Sequence, residues 1–406
     1  MIAGIDTGNG YVKGCIDGTI LRFPSVTAVN FGRMTVPTPD DQLEEFFSRS
    51  IFNELDASFD SSMVVNKSRR LFGSRALSSG MPIEEFDVNS TKSRAEADLS
   101  AVLVLGTLAG YALVNYWNEN RSLPSDILRI KCDYFLTGLP VAECRNFRYE
   151  YAQRYMAQKH MVTIHNFEQP VRIEIEFGAV QVMSEGEAAG YAMLFSDDSV
   201  MQSFLNSARK DGQPLTGISV KDLKEANSTI GLDIGEGTVN IVVFTNRRFN
   251  YDISTSYPKG YSQVLLAVLE RLRDEGYHFK DRKELAEFMS REPSALQRGH
   301  YDYIRTILEQ EIALFASELG TQVSRIMAQA GGFVEVMFVY GGGAIPMKDA
   351  LYPELMRLTE TGVQGQTTFP VLYLTDENAQ FMNEMGLYMV AEAMAANAAQ
   401  NKQQNL

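Results

Sequence analysis

A short glycine-rich signature occurs twice in this chain, and no other sequence feature constrains the fold as strongly. Gly4–Val12 reads GIDTGNGYV and Gly231–Val239 reads GLDIGEGTV, with five of nine positions identical at an offset of 227 residues. In each copy an apolar strand ends at the Asp, a Gly-x-Gly turn follows, and a second apolar run leaves it, Tyr11–Ile16 or Val239–Phe244. A further turn, Asp17-Gly18 in the first half and Thr245-Asn246 in the second, leads to a third strand-like run, Thr19–Phe23 or Arg248–Ser254. A lone Asp-Gly hairpin is an ordinary turn. Repetition in the same strand context predicts two related halves, each opening as a three-stranded meander.

Strands and helices alternate through the rest of both halves, which makes the class α/β. Strands are expected over Ile127–Leu136, running into Thr137-Gly138-Leu139-Pro140, and over Val171–Phe177 and Val334–Tyr340. Helices are expected over Tyr261–Asp274, Tyr303–Gln329, Pro346–Leu358 and Asn378–Ala396. Gly331-Gly332 reads as the stop of the longest helix, and the polar tail Asn397–Leu406 as disordered. Ala101–Trp117 is mostly apolar, but it is at the short limit for a bilayer span and follows the charged run Arg94, Glu96, Asp98, so it reads as a core helix.

With 406 residues, 45% apolar and 22% charged, the chain has the material for two or three compact units. Its 37 Lys and Arg against 51 Asp and Glu leave a net charge of −14, which argues against direct binding of nucleic acid or an anionic membrane. Three cysteines without CxxC spacing and an N-terminus without a secretory pattern point to the cytoplasm. The four histidines form no H-E-x-x-H pair, so a zinc hydrolase of that type finds no support.

Two glycines in a tight turn let a ligand approach main-chain N–H groups, an arrangement suited to phosphate oxygens. The candidate phosphate contacts are Thr7, Gly8, Asn9 and Gly10 in the first turn and Gly235, Glu236, Gly237 and Thr238 in the second. Asp6 and Asp233 precede these turns and would repel bare phosphate, so they call for Mg²⁺ held through its waters. Lys13 offers a point charge to the β-phosphate. The third glycine of a Rossmann G-x-G-x-x-G is replaced by Lys13 or Asn240, and neither turn has a Walker A ending.

At these residues the chain resembles the actin-like ATPase superfamily, most closely its bacterial plasmid-segregation branch of the ParM/StbA type. Five motifs in order carry the resemblance. Ile5–Lys13 is similar to the first phosphate motif, Val182–Leu194 (VMSEGEAAGYAML) to the first connecting motif, and Leu232–Asn240 to the second phosphate motif. Val339–Ala344 with the helix after it is similar to the adenosine motif, and Phe381–Val390, with Gly386, to the second connecting motif. The resemblance implies an actin-like fold with a duplicated core: two α/β domains, residues 1–182 plus 376–406 and 183–375, with mixed sheets flanked by helices and a nucleotide cleft between them.

It further implies an ATPase that binds ATP/ADP with Mg²⁺, with Glu185, Asp6 and Asp233 as catalytic residues. Glu185 stands at the water-activating position, and Gly341, Gly342, Gly343 and Ala344 would approach adenine and ribose. The implied behaviour is head-to-tail polymerisation into filaments that disassemble after hydrolysis, joined to plasmid DNA by a small DNA-binding adaptor. Two departures from eukaryotic actin, Glu185 for Gln and Asn240 for His, leave open which group polarises the water. Taken without the resemblance, Ser184, Glu185 and Glu187 suit a helix-capping box. Two other activities share the superfamily. A chaperone-type nucleotide switch carries a peptide-binding domain after its core, where this sequence is expected to have only about ten mostly polar residues beyond the last helix. A sugar kinase needs an Asp base beyond Asp6 and Asp233, and no such motif is present.

Overall fold

The first signature joins β1 (Ile2–Thr7) to β2 (Tyr11–Ile16), and a second turn, with Asp17 and Gly18 at φ 46° and 82°, leads into β3 (Thr19–Pro24). Positive φ at both central residues gives the hairpin a twist matched to its strands. The computed structural model describes the chain at all positions other than 32–35, 50, 88–92, 196–197, 214, 216, 332–333, 361–368, 376 and 405–406. It forms two units, Met1–Ala192 with Asn383–Leu406, and Met193–Met382.

The first unit continues with β4 (Val26–Asn30), β5 (Asp56–Asp60), β6 (Arg69–Phe72), β7 (Ile83–Glu85), β8 (Leu128–Leu139), β9 (His160–Ile164) and β10 (Val171–Ser184). These strands make one mixed sheet in the order β3-β2-β1-β8-β10-β9-β5-β6-β4-β7, with β1, β8 and β10 parallel. Alternation along β8 serves both faces. Phe135 joins the larger core, with the Asp98–Asn120 and Val141–Met156 helices. Leu136 joins a smaller core with Met183, Ala188, Leu387 and Ala391. The Asp98–Asn120 helix is long and apolar enough to cross a membrane, but its apolar window is 83% buried inside this unit. It is a core helix, as its sequence suggested.

The second unit holds β11 (Ser228–Ile234), β12 (Val239–Thr245), β13 (Arg248–Phe249), β14 (Thr255–Tyr257), β15 (Val336–Tyr340) and β16 (Val371–Tyr373). Its sheet runs β13-β12-β11-β15-β16, with β14 beside β12. Strand order and sense match those of β3-β2-β1-β8-β10: an antiparallel meander, then two parallel neighbours. The duplication is therefore structural. On one face lie the Tyr261–Asp274, Arg298–Gln329 and Ala344–Glu360 helices, and on the other Phe338 meets Phe204 of the Asp198–Lys210 helix.

Several boundaries differ from the sequence reading. The run Arg248–Ser254 is a strand only at Arg248–Phe249, because the Asn250 side chain accepts from the N–H groups of Asp252 and Ile253 and turns the chain. The turn before it is centred on Asn246 and Arg247, both at positive φ. The tail expected to be disordered continues the last helix, Met382–Gln404, because Ala, Gln and Lys favour a helix even without an apolar face. Gly331, at φ 77°, follows the end of the Arg298–Gln329 helix, while Gly332 lies outside the described residues.

The Glu185–Phe195 and Met382–Gln404 helices cross inside the first unit, where Gly386 meets Ala188. A Cβ placed on Gly386 would lie 1.7 Å from the Ala188 carbonyl oxygen, so the crossing admits no side chain. Gly386→Ala should therefore destabilise the protein by about 1–3 kcal/mol, which appears in thermal melting as roughly 2–4 °C per kcal/mol. An unchanged melting temperature would show that the crossing is looser than described.

Candidate functional site

Backbone register sets the first turn. Asp6 pairs with Lys13 across β1 and β2, and directly opposed residues in an antiparallel pair put their side chains on one face. Asp6 and Thr7 are buried, while Gly8, Asn9 and Gly10 at the apex are half-exposed. The second turn repeats this plan. Asp233 pairs with Asn240, whose Oδ1 accepts from Ser256 Oγ, and Gly235, Glu236 and Thr238 are half-exposed. A Cβ on Gly8 would approach the Tyr11 carbonyl to 3.1 Å, and one on Gly235 the Thr238 carbonyl to 3.0 Å. Both turns therefore fold back on the residue three positions on, which leaves little room for a side chain at the first glycine.

In the first unit, Glu185 is the first residue of its helix and only 6% exposed. Gly138, at the end of β8, brings it near Asp6: a Cβ there would lie 3.4 Å from Glu185 Cγ and 3.8 Å from Asp6 Oδ1. The capping-box alternative is not realised, since Ser184 Oγ is buried and makes no hydrogen bond among the described residues. Arg94 Nη2 forms an ion pair with Glu185 Oε1 at 2.9 Å, and its Nη1 donates to the Thr7 carbonyl at 3.1 Å. Burial opposes the charge on Arg94, but Glu185, Glu143 and Asp6 together outweigh it and hold the guanidinium protonated above its ordinary range. Sequence reasoning used Arg94 only as part of a charged run, and no local pattern marks it as a partner of Glu185.

In the second unit, the phosphate-type turn and the Gly341–Ala344 turn are packed together. Gly341 has φ 97°, and a Cβ there would meet the Ile234 carbonyl at 2.5 Å and Asp233 Oδ1 at 2.6 Å. Gly343 N donates to the Ile234 carbonyl at 2.8 Å. Gly341 and Gly138 both lie next to their unit's Asp, but Gly138 is inside β8, one residue past the Ile5 partner Thr137, whereas Gly341 follows Tyr340, the partner of Asp233. The carbonyls of Gly235 and Glu236 accept from Tyr261 N and Ser262 N, at the start of the Tyr261–Asp274 helix. In a planar trans peptide the N–H opposes the C=O, so the N–H groups of Glu236 and Gly237 face away from that helix. The Glu236 carboxylate is engaged by Arg282 Nε at 3.1 Å, which leaves its main chain as the part it offers a ligand. Tyr340 is wholly buried, and burial first, with the Asp233 charge second, pushes its phenol well above the ordinary value, so it packs as a neutral side chain.

Asp6, Thr7, Lys13 and Glu185 therefore gather in one unit, and Asp233, the second turn and Gly341–Ala344 in the other. Gly138, Arg94 and Glu143 join the first group without having been singled out as site residues from the sequence.

The family described as actin-like proteins, N-terminal domain, matches residues 4–187, and that described as archaeal actin homologue MreB-like, C-terminal, matches residues 231–352. No curated protein sequence matches the chain. Among solved structures, the actin-like protein Alp7A is similar at 16% identity with a TM-score of 0.66, covering 100% of this chain and 99% of that one. A ParM filament structure from Clostridium botulinum, described as 15-stranded, is similar at 15% identity and TM-score 0.62, covering 96% and 98%. Ta0583, an archaeal actin homologue in complex with ADP, is similar at 15% identity and TM-score 0.60, covering 97% and 100%. Family matches to both halves, in order, together with these structures that cover the chain from end to end, show that this chain has the actin-like fold.

Proposed function

We propose that this protein is a filament-forming ATPase of the plasmid-segregation type, which binds ATP with Mg²⁺ and hydrolyses it to ADP and phosphate. The observation that carries the reading is the same element built twice: a buried Asp leading into a Gly-x-Gly turn that is half-exposed apart from the buried Gly237, at the carboxyl end of a strand with a parallel neighbour. Strand ends of this kind are where α/β sheets take ligands. The N–H groups of Glu236 and Gly237 suit phosphate oxygens, and Gly341–Ala344, packed on that turn, suits the nucleoside.

The donor set fits a hydrated divalent ion. Among the described residues no group of three or more His, Cys, Asp or Glu side chains forms a cage for a metal. Mg²⁺ keeps several waters and uses one or two carboxylates with substrate phosphates, a demand that the buried Asp of either turn, Asp6 or Asp233, suits by itself. When bound, it would neutralise phosphate charge. Glu185 takes the role of orienting or deprotonating the attacking water, an effect worth roughly 10²–10⁴-fold.

The filament part of the reading is supported by the ParM filament among the similar structures. Head-to-tail contacts give an open polymer, and hydrolysis would weaken it. A net charge of −14 suits DNA movement through a basic adaptor in the cytoplasm better than direct DNA contact.

With ATP and Mg²⁺ the wild-type protein should pellet on high-speed centrifugation and show filaments by negative stain. A protein that binds ADP but stays in the supernatant is a nucleotide switch, and one that phosphorylates a sugar hydroxyl is a kinase. Glu185→Gln should lose hydrolysis by about 100-fold or more while still pelleting with ATP, and unchanged phosphate release would remove Glu185 from the mechanism. Gly341→Ala forces a side chain into positive φ and the Ile234 carbonyl, at a cost of about 1–3 kcal/mol. It should weaken binding of a fluorescent ADP analogue tenfold or more in a protein still folded by circular dichroism, and undiminished binding would exclude this turn from the nucleotide site.

A further inference from the structure

We infer that Arg94 is a positioning residue for hydrolysis, fixing the Glu185 carboxylate to the main chain of the first glycine turn. The inference rests on the reading of Glu185 as the water-activating group. One guanidinium spans both partners: Nη1 donates to the carbonyl of Thr7, the residue between Asp6 and Gly8, and Nη2 pairs with Glu185 Oε1. A shift of the turn is thereby passed to the carboxylate through a rigid planar fork.

The arginine is itself held from several directions. Its N–H and Ser93 Oγ both donate to Glu143 Oε2, at 2.7 and 2.6 Å, from the Val141–Met156 helix. Its carbonyl accepts from Ser100 Oγ at 2.7 Å and from Ala97 N at 3.2 Å, and the neighbouring Ala95 carbonyl accepts from Arg154 Nη1 at 2.7 Å. The Phe86 ring lies 5.9 Å from the guanidinium carbon. Arg94 and Glu185 are 8% and 6% exposed, so solvent does little to loosen the pair.

The charges near this guanidinium are Glu185, Glu143 and Asp6. An arginine needed only to neutralise them could be replaced by lysine. An arginine needed to span a carbonyl and a carboxylate could not, because a single ammonium does not reproduce the two-armed contact. Deleting the guanidinium strands two buried carboxylates, Asp6 and Glu185, and threatens the fold, so Arg94→Lys, which keeps the charge, is the informative variant.

The experiment compares wild type, Arg94→Lys, Arg94→Ala, Glu185→Gln and the Arg94→Lys/Glu185→Gln double variant. Measurements are phosphate release, affinity for a fluorescent ADP analogue, and thermal melting without nucleotide. Arg94→Lys should bind the ADP analogue within about threefold of wild type and lose roughly 10- to 100-fold in kcat, the scale of a misplaced catalytic group. The double variant should be no slower than Glu185→Gln alone, since the two side chains act as a unit. Their effects on melting should also fall short of additive, a readout independent of turnover. Millimolar guanidinium should partly restore hydrolysis to Arg94→Ala with ADP affinity and melting temperature unchanged, whereas rescue of a structural role would raise all three together. Wild-type kcat in Arg94→Lys, with Glu185→Gln inactive, overturns the positioning role alone. Parallel loss of ADP affinity and kcat without guanidinium rescue also overturns it, leaving a structural arginine. Full activity in Glu185→Gln, or a wild type that does not hydrolyse ATP, fails the underlying reading and overturns this inference with it.

Discussion

A carboxylate buried at a strand end is costly to keep charged, and the organisation of this protein follows from meeting that cost twice. Asp6 and Asp233 are 5% and 6% exposed. An isolated ionised carboxylate in such surroundings would lose far more solvation than a turn could return, so each must lie among polar groups. In the first unit one nearby positive charge is Arg94, 88 residues downstream of Asp6 and ion-paired to Glu185. In the second, the Gly341 turn is pressed so closely against Asp233 that no side chain fits between them. The glycine at 341 is thus a consequence of crowding main chain around a buried acid.

The duplicated core was legible because it depends on local rules. Asp before Gly-x-Gly, a short apolar run and a second turn fix hairpins, and hairpins fix which strands neighbour each other. The parallel partners β8 and β15 could be placed as strands by their composition, yet their pairing with β1 and β11 is a long-range fact. Helix ends were misjudged where polar side chains are good helix formers, as in Asn397–Gln404. The expected strand beyond Phe249 failed for the opposite reason, since a single Asn250 side chain captured two main-chain N–H groups. Arg94 was beyond reach in kind. Its partners, Thr7, Glu143 and Glu185, are spread over the first half of the chain, and one arginine in a charged run carries no mark that it will be buried.

Glu185 draws its placement from three sources at once. β10 ends at Ser184 beside β8, so the helix must begin at Glu185 next to Gly138. Arg94 then fixes the carboxylate end, and three residues along the helix Ala188 is locked against Gly386. A side chain whose backbone, neighbouring turn and terminal atoms are each held by a different element has few rotamers left, which is the condition for a group that must act on a reacting molecule without first reorganising.

The same geometry explains how a fold survives when most of its sequence has changed. The positions that tolerate nothing are few: a glycine facing a carbonyl at under 3 Å, an acid with its counter-charge, a turn with positive φ. The interior around them asks only for apolar volume and alternation, and cores accept wide substitution as long as those are kept. Ile, Val, Leu, Phe and Met share that work here in both units. A core with such loose demands can share its path with structures of 15–16% identity, so a relationship faint in the letters stays plain in the path of the chain.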